Sequence, residues 1–291
     1  FEIRKQKNMN TKAFFHNDTS TVVYMVWDPE TRDAVVIDPV LDFDPISVNV
    51  SETFVDQLIA FIKENGLRLY YAIDTHVHAD HMTGQAALKA KVGAKTAISE
   101  KVTGVQKTFA EIFNLDIATD GSQWDVLLSD GMILKAGSID VEVVATPGHT
   151  PACICLKIGN ALYTGDALFM PDFGTGRCDF PGGSAEDLYD SIKRIYALPD
   201  NTQVFVGHDY QPGGRELAYE TTVAKCKENN KQLRRDTTRE EFVQWRKDRD
   251  AKLRPPRLIW QSLQVNMAAG ALPKKSDNGI AYLKMPMNMF R

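Results

Sequence analysis

Regular hydrophobic patterning begins with two apolar runs, Thr21-Val22-Val23-Tyr24-Met25-Val26-Trp27 and Ala34-Val35-Val36-Ile37-Asp38, separated at Asp28-Pro29. β-Branched and aromatic runs broken by a turn dipeptide predict a strand hairpin. A Pro- and Asp-containing loop is expected over 39–50. Ser51 is then expected to cap an amphipathic helix reaching Asn65-Gly66, with Phe54, Leu58, Phe61 and Ile62 on one face. Leu69-Tyr70-Tyr71-Ala72-Ile73 predicts a short buried strand leading into a histidine-rich loop. Helices are expected over 83–92 and 102–113, and polar loop over 114–129.

The second half repeats the scheme. Ile133-Leu134-Lys135, Val141-Glu142-Val143-Val144, Cys153-Ile154-Cys155-Leu156 and Ala161-Leu162-Tyr163 are closely spaced strand candidates, which predicts a meander. A Gly- and Pro-rich loop over 171–183 precedes a helix over 185–197, whose inner face is Leu188, Ile192 and Ile195. Gln203-Val204-Phe205-Val206 predicts a strand that ends in Gly207-His208. Residues 215–250 read as helical and charge-dense. Arg234, Arg235, Arg246 and Lys247, interleaved there with acids, are expected on a solvated face. Leu258-Ile259-Trp260 is expected to pack back on the body. Two strand-rich halves, each followed by helices, predict two sheets face to face with helices outside, a four-layer αββα sandwich of the α/β (α+β) class.

Composition narrows the function class. The 291 residues are 43% hydrophobic and 25% charged with a net charge of -4, which suits one α/β domain with extensions. The mild acidic excess argues against nucleic acid or anionic membrane as main partner. No apolar run approaches bilayer length and Phe1-Glu2-Ile3-Arg4-Lys5-Gln6-Lys7 lacks a signal-peptide core, so a soluble, cytoplasmic protein is expected. Residues ahead of Met9 are expected to be an expression remnant or a processed end. Cys153, Cys155, Cys178 and Cys226 show no CxxC spacing, which predicts reduced thiols. Cys153 and Cys155 are expected in the core. Cys178, in a Gly-rich loop beside Arg177, is expected nearer the reaction site.

The candidate chemistry sits at the ends of apolar runs. Thr75-His76-Val77-His78-Ala79-Asp80-His81 gathers imidazoles and a carboxylate at spacings that converge only where the backbone turns sharply, as in a transition-metal loop. His149 in Thr146-Pro147-Gly148-His149-Thr150, Asp166 in Thr164-Gly165-Asp166, and His208 stand in similar settings. Ligands at the ends of separate strands on one edge would form a site on rigid elements.

Together these motifs resemble the metallo-β-lactamase superfamily over residues 11–210, and most of all its glyoxalase II and persulfide dioxygenase branch. The resemblance implies the metallo-β-lactamase fold, with a catalytic domain over 1–210 and a mainly helical extension over 211–291. That extension, with Val265-Asn266-Met267, resembles a bacterial subgroup of β-lactamase-like hydrolases. The segment Gly174-Thr175-Gly176-Arg177-Cys178-Asp179-Phe180 is similar to the Gly-x-Gly-Arg-x-Asp-Phe loop of persulfide dioxygenases. By that resemblance one Fe(II) per chain is held by His76, His149 and Asp166. His78, Asp80, His81 and His208 orient ligands and waters, and Arg177 and Tyr210 contact a glutathione-type persulfide that reacts with O2. Arg177 could also simply pair with Asp179 to brace its loop. The glyoxalase II resemblance implies instead two metals (Zn or Fe), one on His76, His78 and His149, one on Asp80, His81 and His208, with Asp166 as bridge. A non-catalytic metal- or thiol-binding protein is a third reading, and association as a homodimer stays open.

Overall fold

In the strand β2 (Thr21–Trp27) every residue from Thr21 to Val26 is buried, so both faces of the strand are covered. Val22, Tyr24 and Val26 point into a core shared by two sheets, whereas Val23 and Met25 point into a second core beneath helices. Period-two alternation of side chains makes one apolar run serve both layers. The computed structural model describes residues 8–289, so most of the segment ahead of Met9 falls outside the described residues.

In chain order the first half comprises β1 (Asn10–His16), β2, β3 (Asp33–Ile37), β4 (Val40–Asp44), β5 (Asn49–Ser51), α1 (Thr53–Glu64), β6 (Arg68–Ile73), β7 (Met82–Thr83), α2 (Gln85–Val92), β8 (Lys95–Ser99), α3 (Val102–Phe113) and β9 (Val126–Leu128). Its main sheet has the order β1-β2-β3-β6-β8-β9, antiparallel over β1–β3 and parallel from β3 onward. The second half comprises β10 (Ile133–Ala136), β11 (Ile139–Ala145), β12 (Ile154–Ile158), β13 (Ala161–Tyr163), α4 (Ala185–Tyr196), β14 (Gln203–Phe205), β15 (Glu220–Thr222), α5 (Val223–Asn229), α6 (Arg239–Asp250) and α7 (Ile259–Asn266). Strands β10 to β15 form the second sheet in sequence order.

Tyr24, Ile37, Ile73, Val141, Leu156 and Tyr163 fill the space between the sheets. Leu58 of α1 and Leu88 of α2 cover the outside of the first sheet, and Leu188 and Ile192 of α4 that of the second. This is the αββα sandwich expected from the patterning. Leu258 and Ile259 are buried, as the packing of that stretch on the body requires.

Several local expectations are corrected. Residues 39–50 are not simply loop, because β4 pairs there with β5 on one side and β7 on the other in a small sheet. Glu52 rather than Ser51 stands directly ahead of α1, but Ser51 Oγ accepts the N–H of its first residue, Thr53, at 3.2 Å, and Asp42 of β4 accepts the Phe54 N–H at 2.8 Å. Strands β1, β8 and β9 lie where none was predicted. Arg246 is not on a solvated face; its side chain is 3% exposed and paired with Asp250. Arg234, Arg235 and Lys247 are exposed, as expected. Among the described residues all four cysteines are free and buried. No helix among them is long and apolar enough to cross a membrane.

Candidate metal centre

The parallel strands β3 and β6 and the antiparallel strand β11 all end at one edge. β3 runs into Asp38, β6 into Asp74-Thr75-His76, β11 into Thr146-Pro147-Gly148-His149, and β13 and β14 into Asp166 and His208. The edge therefore collects every sequence-predicted ligand. His76, His149 and Asp166 each offer one atom within 4.8 Å of the others, and so do His78, Asp80 and His81.

Each imidazole is fixed through one ring nitrogen. The Nδ1 atoms of His81, His149 and His208 face the backbone carbonyls of Met82 (3.1 Å), Arg177 (2.6 Å) and Ser20 (3.1 Å). A carbonyl only accepts, so each of these Nδ1 atoms carries the proton. Thr75 Oγ1 donates to Asp38 at 2.9 Å, so it accepts from His76 Nδ1 at 3.0 Å. His78 is turned the other way, with Nε2 donating to Asp38 Oδ1 at 3.0 Å. Such outer bonds fix tautomer and ring direction in metal sites.

The opposite nitrogens converge. His76 Nε2, His78 Nδ1, His81 Nε2, Asp80 Oδ2 and Asp166 Oδ1 are buried without a hydrogen-bond partner among the described residues. Burying that many unpaired polar atoms is costly, and one or two cations at their meeting point would satisfy them. Asp166 spans the two groups. Its Oδ2 lies 3.8 Å from His76 Nε2 and 3.5 Å from His149 Nε2, and its Oδ1 lies 3.3 Å from His208 Nε2, which is also 3.3 Å from Asp80 Oδ2. The donor set thus fits a metal ion.

Charge states agree with this for His76, His81 and Asp80, whereas at His78 and His208 burial is outweighed by neighbouring carboxylates, which favour the cation. Burial, helped by neighbouring histidines, holds His76 well below its ordinary pKa and brings His81 down to about 3, so both are neutral lone-pair donors. Burial would raise Asp80, yet His208, His81 and His78 outweigh it and bring its carboxyl to about 2. Burial also opposes a charge on His78, but Asp38 overrides it and lifts that imidazole to about 10.

Two glycines make close approaches that no other residue allows. At Gly148 (φ 141°) a Cβ would lie 2.5 Å from the Leu188 backbone on α4. At Gly176 it would lie 2.0 Å from the Asp166 carbonyl oxygen, which explains a glycine just ahead of Arg177.

A cavity of about 1420 Å³ opens over His149, Asp166, Asp80 and His81, and Arg177 and Tyr210 line it. Tyr210 is 45% exposed, with its ring stacked on His208 at 5.5 Å and tilted against Phe173 at 4.8 Å. Arg177 is braced: Asp179 accepts from its Nε and Nη2, and the Arg254 carbonyl accepts from Nη1 at 2.9 Å. The Cys178 side chain is buried in the core around α4 and its thiol is pushed up by burial. Sequence reasoning missed Asp38 and Thr75, which orient His76 and His78. The available signal was an aspartate before proline at a strand end; it adopts φ 51°, rare outside glycine.

The fold and this ligand edge define a metallo-β-lactamase-type metal site, and comparison with known proteins agrees. The family model of the metallo-beta-lactamase superfamily matches residues 16–208. The chain belongs to that superfamily, whose members bind metal ions. It is 48% identical over 279 residues to a beta-lactamase hydrolase-like protein of Agrobacterium fabrum, covering 96% of this chain but only 64% of that relative's length. It is 44% identical to glyoxylase B2 of Dictyostelium discoideum, covering 96% and 97% of the two chains. The human mitochondrial persulfide dioxygenase ETHE1 is 34% identical over 203 residues, 68% of each chain. Among solved structures, ETHE1 from Myxococcus xanthus superposes with a TM-score of 0.73 at 33% identity, covering 90% of this chain and all of that one.

Proposed function

We propose that this chain is a non-haem iron persulfide dioxygenase that converts glutathione persulfide, or a similar thiol persulfide, with O2 and water to sulfite and thiol. The observation that carries the reading is the convergence of His76, His149 and Asp166 within 4.8 Å, two imidazoles and one carboxylate. Those are the donor types that would hold a non-haem Fe(II) used for O2 chemistry. The Gly174–Phe180 loop and the relation to persulfide dioxygenase ETHE1 add support.

Fe(II), one per chain, supplies the oxygen and sulfur redox chemistry when bound. The residues around it hold and orient. Thr75 and the Arg177 carbonyl keep His76 and His149 protonated on Nδ1, leaving each Nε2 lone pair inward. His78, Asp80, His81 and His208 orient ligands and waters. Tyr210 shields the sulfur end of the substrate with its ring. Arg177, its geometry fixed by Asp179, faces a carrier carboxylate with its remaining N–H groups. The catalytic domain of this reading spans 1–210 and carries the ligands, and the described residues beyond 210 pack on it as an extension. The four reduced cysteines suit a cytoplasmic setting.

Anaerobically prepared protein should contain one iron per chain and, with glutathione persulfide in an oxygen electrode, take up O2 and release sulfite. An iron-loaded protein that consumes no O2 with any thiol persulfide rules the reading out.

A dinuclear thioester hydrolase of the glyoxalase II type is the second reading. It is favoured by the partnerless His78 Nδ1, Asp80 Oδ2 and His81 Nε2 and by Asp166 reaching both groups. Two metals per chain with zinc, and thioester cleavage without O2 uptake, would establish it. Persulfide binding without turnover would point to the third, non-catalytic reading.

A further inference from the structure

Three polar side chains tie the C-terminal helices to the ligand loops. Asp250, the last residue of α6, accepts the Cys178 N–H at 2.7 Å. The carbonyl of that same peptide group belongs to Arg177 and accepts from His149 Nδ1 at 2.6 Å. Arg246, one turn earlier on α6, pairs with Asp250 and donates to the Gly176 carbonyl at 3.2 Å. One peptide plane therefore stands between a buried carboxylate and the imidazole. A negative charge at its N–H end polarises the amide and makes its oxygen a stronger acceptor, because hydrogen bonds in series reinforce one another.

Asn266, the last residue of α7, meets the other ligand loop. Its Nδ2 donates to the carbonyls of His78 and His81, both at 2.7 Å, and its Oδ1 accepts the Thr83 N–H at 2.8 Å. The side chain is 1% exposed. A buried amide that finds three backbone partners in one short loop acts as a clip on that loop.

We infer that α6 and α7 are part of the metal centre: Asp250, held by Arg246, sets the His149 imidazole through the Arg177–Cys178 peptide, and Asn266 holds the His78–Thr83 turn. All three are positioning residues; none reaches the converging ligand atoms. The inference rests on the reading of this cluster as a metal site. It assigns to residues beyond 210 a role that the ligand motifs do not contain.

Co(II) serves as a probe because its affinity and visible absorption report ligand geometry without turnover. Asn266→Asp keeps the bond to Thr83 but sets a carboxylate oxygen against two carbonyls. Asp250→Asn leaves Arg246 buried without its counter-charge and can fail to fold. The double variant Arg246→Met with Asp250→Asn removes both charges together and keeps the test open. Far-UV circular dichroism confirms the fold of each. We expect Co(II) affinity, measured by chelator competition, to fall about 10–100-fold in the folded variants, with altered absorption bands in the Asp250 variants. Wild-type affinity and spectrum in both the double variant and Asn266→Asp would overturn the inference. If the wild-type protein binds no Co(II), the metal centre itself fails, which is a different result.

Discussion

Strands β3, β6 and β11 carry polar side chains at both ends, and the two ends treat them differently. At their starts, Arg68 donates through Nε and Nη2 to Asp33 Oδ1 at 3.0 and 2.6 Å. The Ser138 N–H donates to Asp33 Oδ2 at 2.8 Å, and Ser138 Oγ donates to Asp28 at 2.7 Å. At their finishes, Asp38, His76 and His149 are buried as Asp28 and Asp33 are, yet atoms such as His76 Nε2 and His78 Nδ1 are left unpaired and aimed at one region. The first end braces the two sheets against each other. The second holds back part of its bonding capacity. Buried polar residues alone therefore do not mark a site, whereas convergent and unsatisfied ones do.

The comparison breaks most sharply at His149. His149→Ala should abolish O2 uptake and sulfite release and lower the iron content, and activity surviving there would remove this residue from the ligand set. Gly148→Ala comes next, because its Cβ would meet the α4 backbone and displace the following imidazole. A shift of about 1 Å at a catalytic group can cost ~100-fold, so kcat should fall on that scale while circular dichroism stays native. Asp38→Asn weakens the hold on both His76 and His78, and metal affinity read by chelator competition should drop about 10–100-fold.

At the opposite end the effect is on stability alone. Asp33→Ala should cost about 0.5–1.5 kcal/mol, the net worth of the lost hydrogen bonds, because the largely exposed Arg68 is rehydrated, seen as a lower urea midpoint with unchanged metal content. A change in metal content would mean that the two ends are coupled. The smallest effect is in pH. Burial works against charge on Asp33, but Arg68, the Ser138 N–H and Thr31 outweigh it and lower the carboxyl below its ordinary value. The unfolded chain thus takes up this proton more readily. The stabilisation is present above about pH 4 and is lost as pH falls through the lower, folded value. The gap in urea midpoint between wild type and Asp33→Asn should narrow from pH 7 toward pH 3; a constant gap would assign it to packing.

Much of this was legible along the chain. Thr21–Trp27 is apolar enough to be buried on both faces, and the helix over 185–197 carries its inner residues at helical spacing. Other elements have no such mark. β8, Lys-Thr-Ala-Ile-Ser, has one large apolar side chain and owes its place to pairing between β6 and β9 and to Gln85, which donates to the Ala97 carbonyl. β4 looks like loop because Asp42 and Asp44 break its apolar run, although Asp42 is recruited to the start of α1. Arg246 sits in a run of mixed charge that reads as solvated, while its partners include loop carbonyls supplied by distant residues.

By itself the sequence determined the donor types, their order along the chain and their position after apolar runs, because strands carry whatever follows them to a common edge. Only the tertiary structure decided which nitrogen of each imidazole is left for a metal, that Asp166 reaches both ligand groups, and that Asp250 and Asn266 from the last helices hold the loops. The reason is physical. A tautomer and a ring direction are set by the hydrogen-bond partner on the far nitrogen, and for His149 and His208 that partner comes from a different part of the chain.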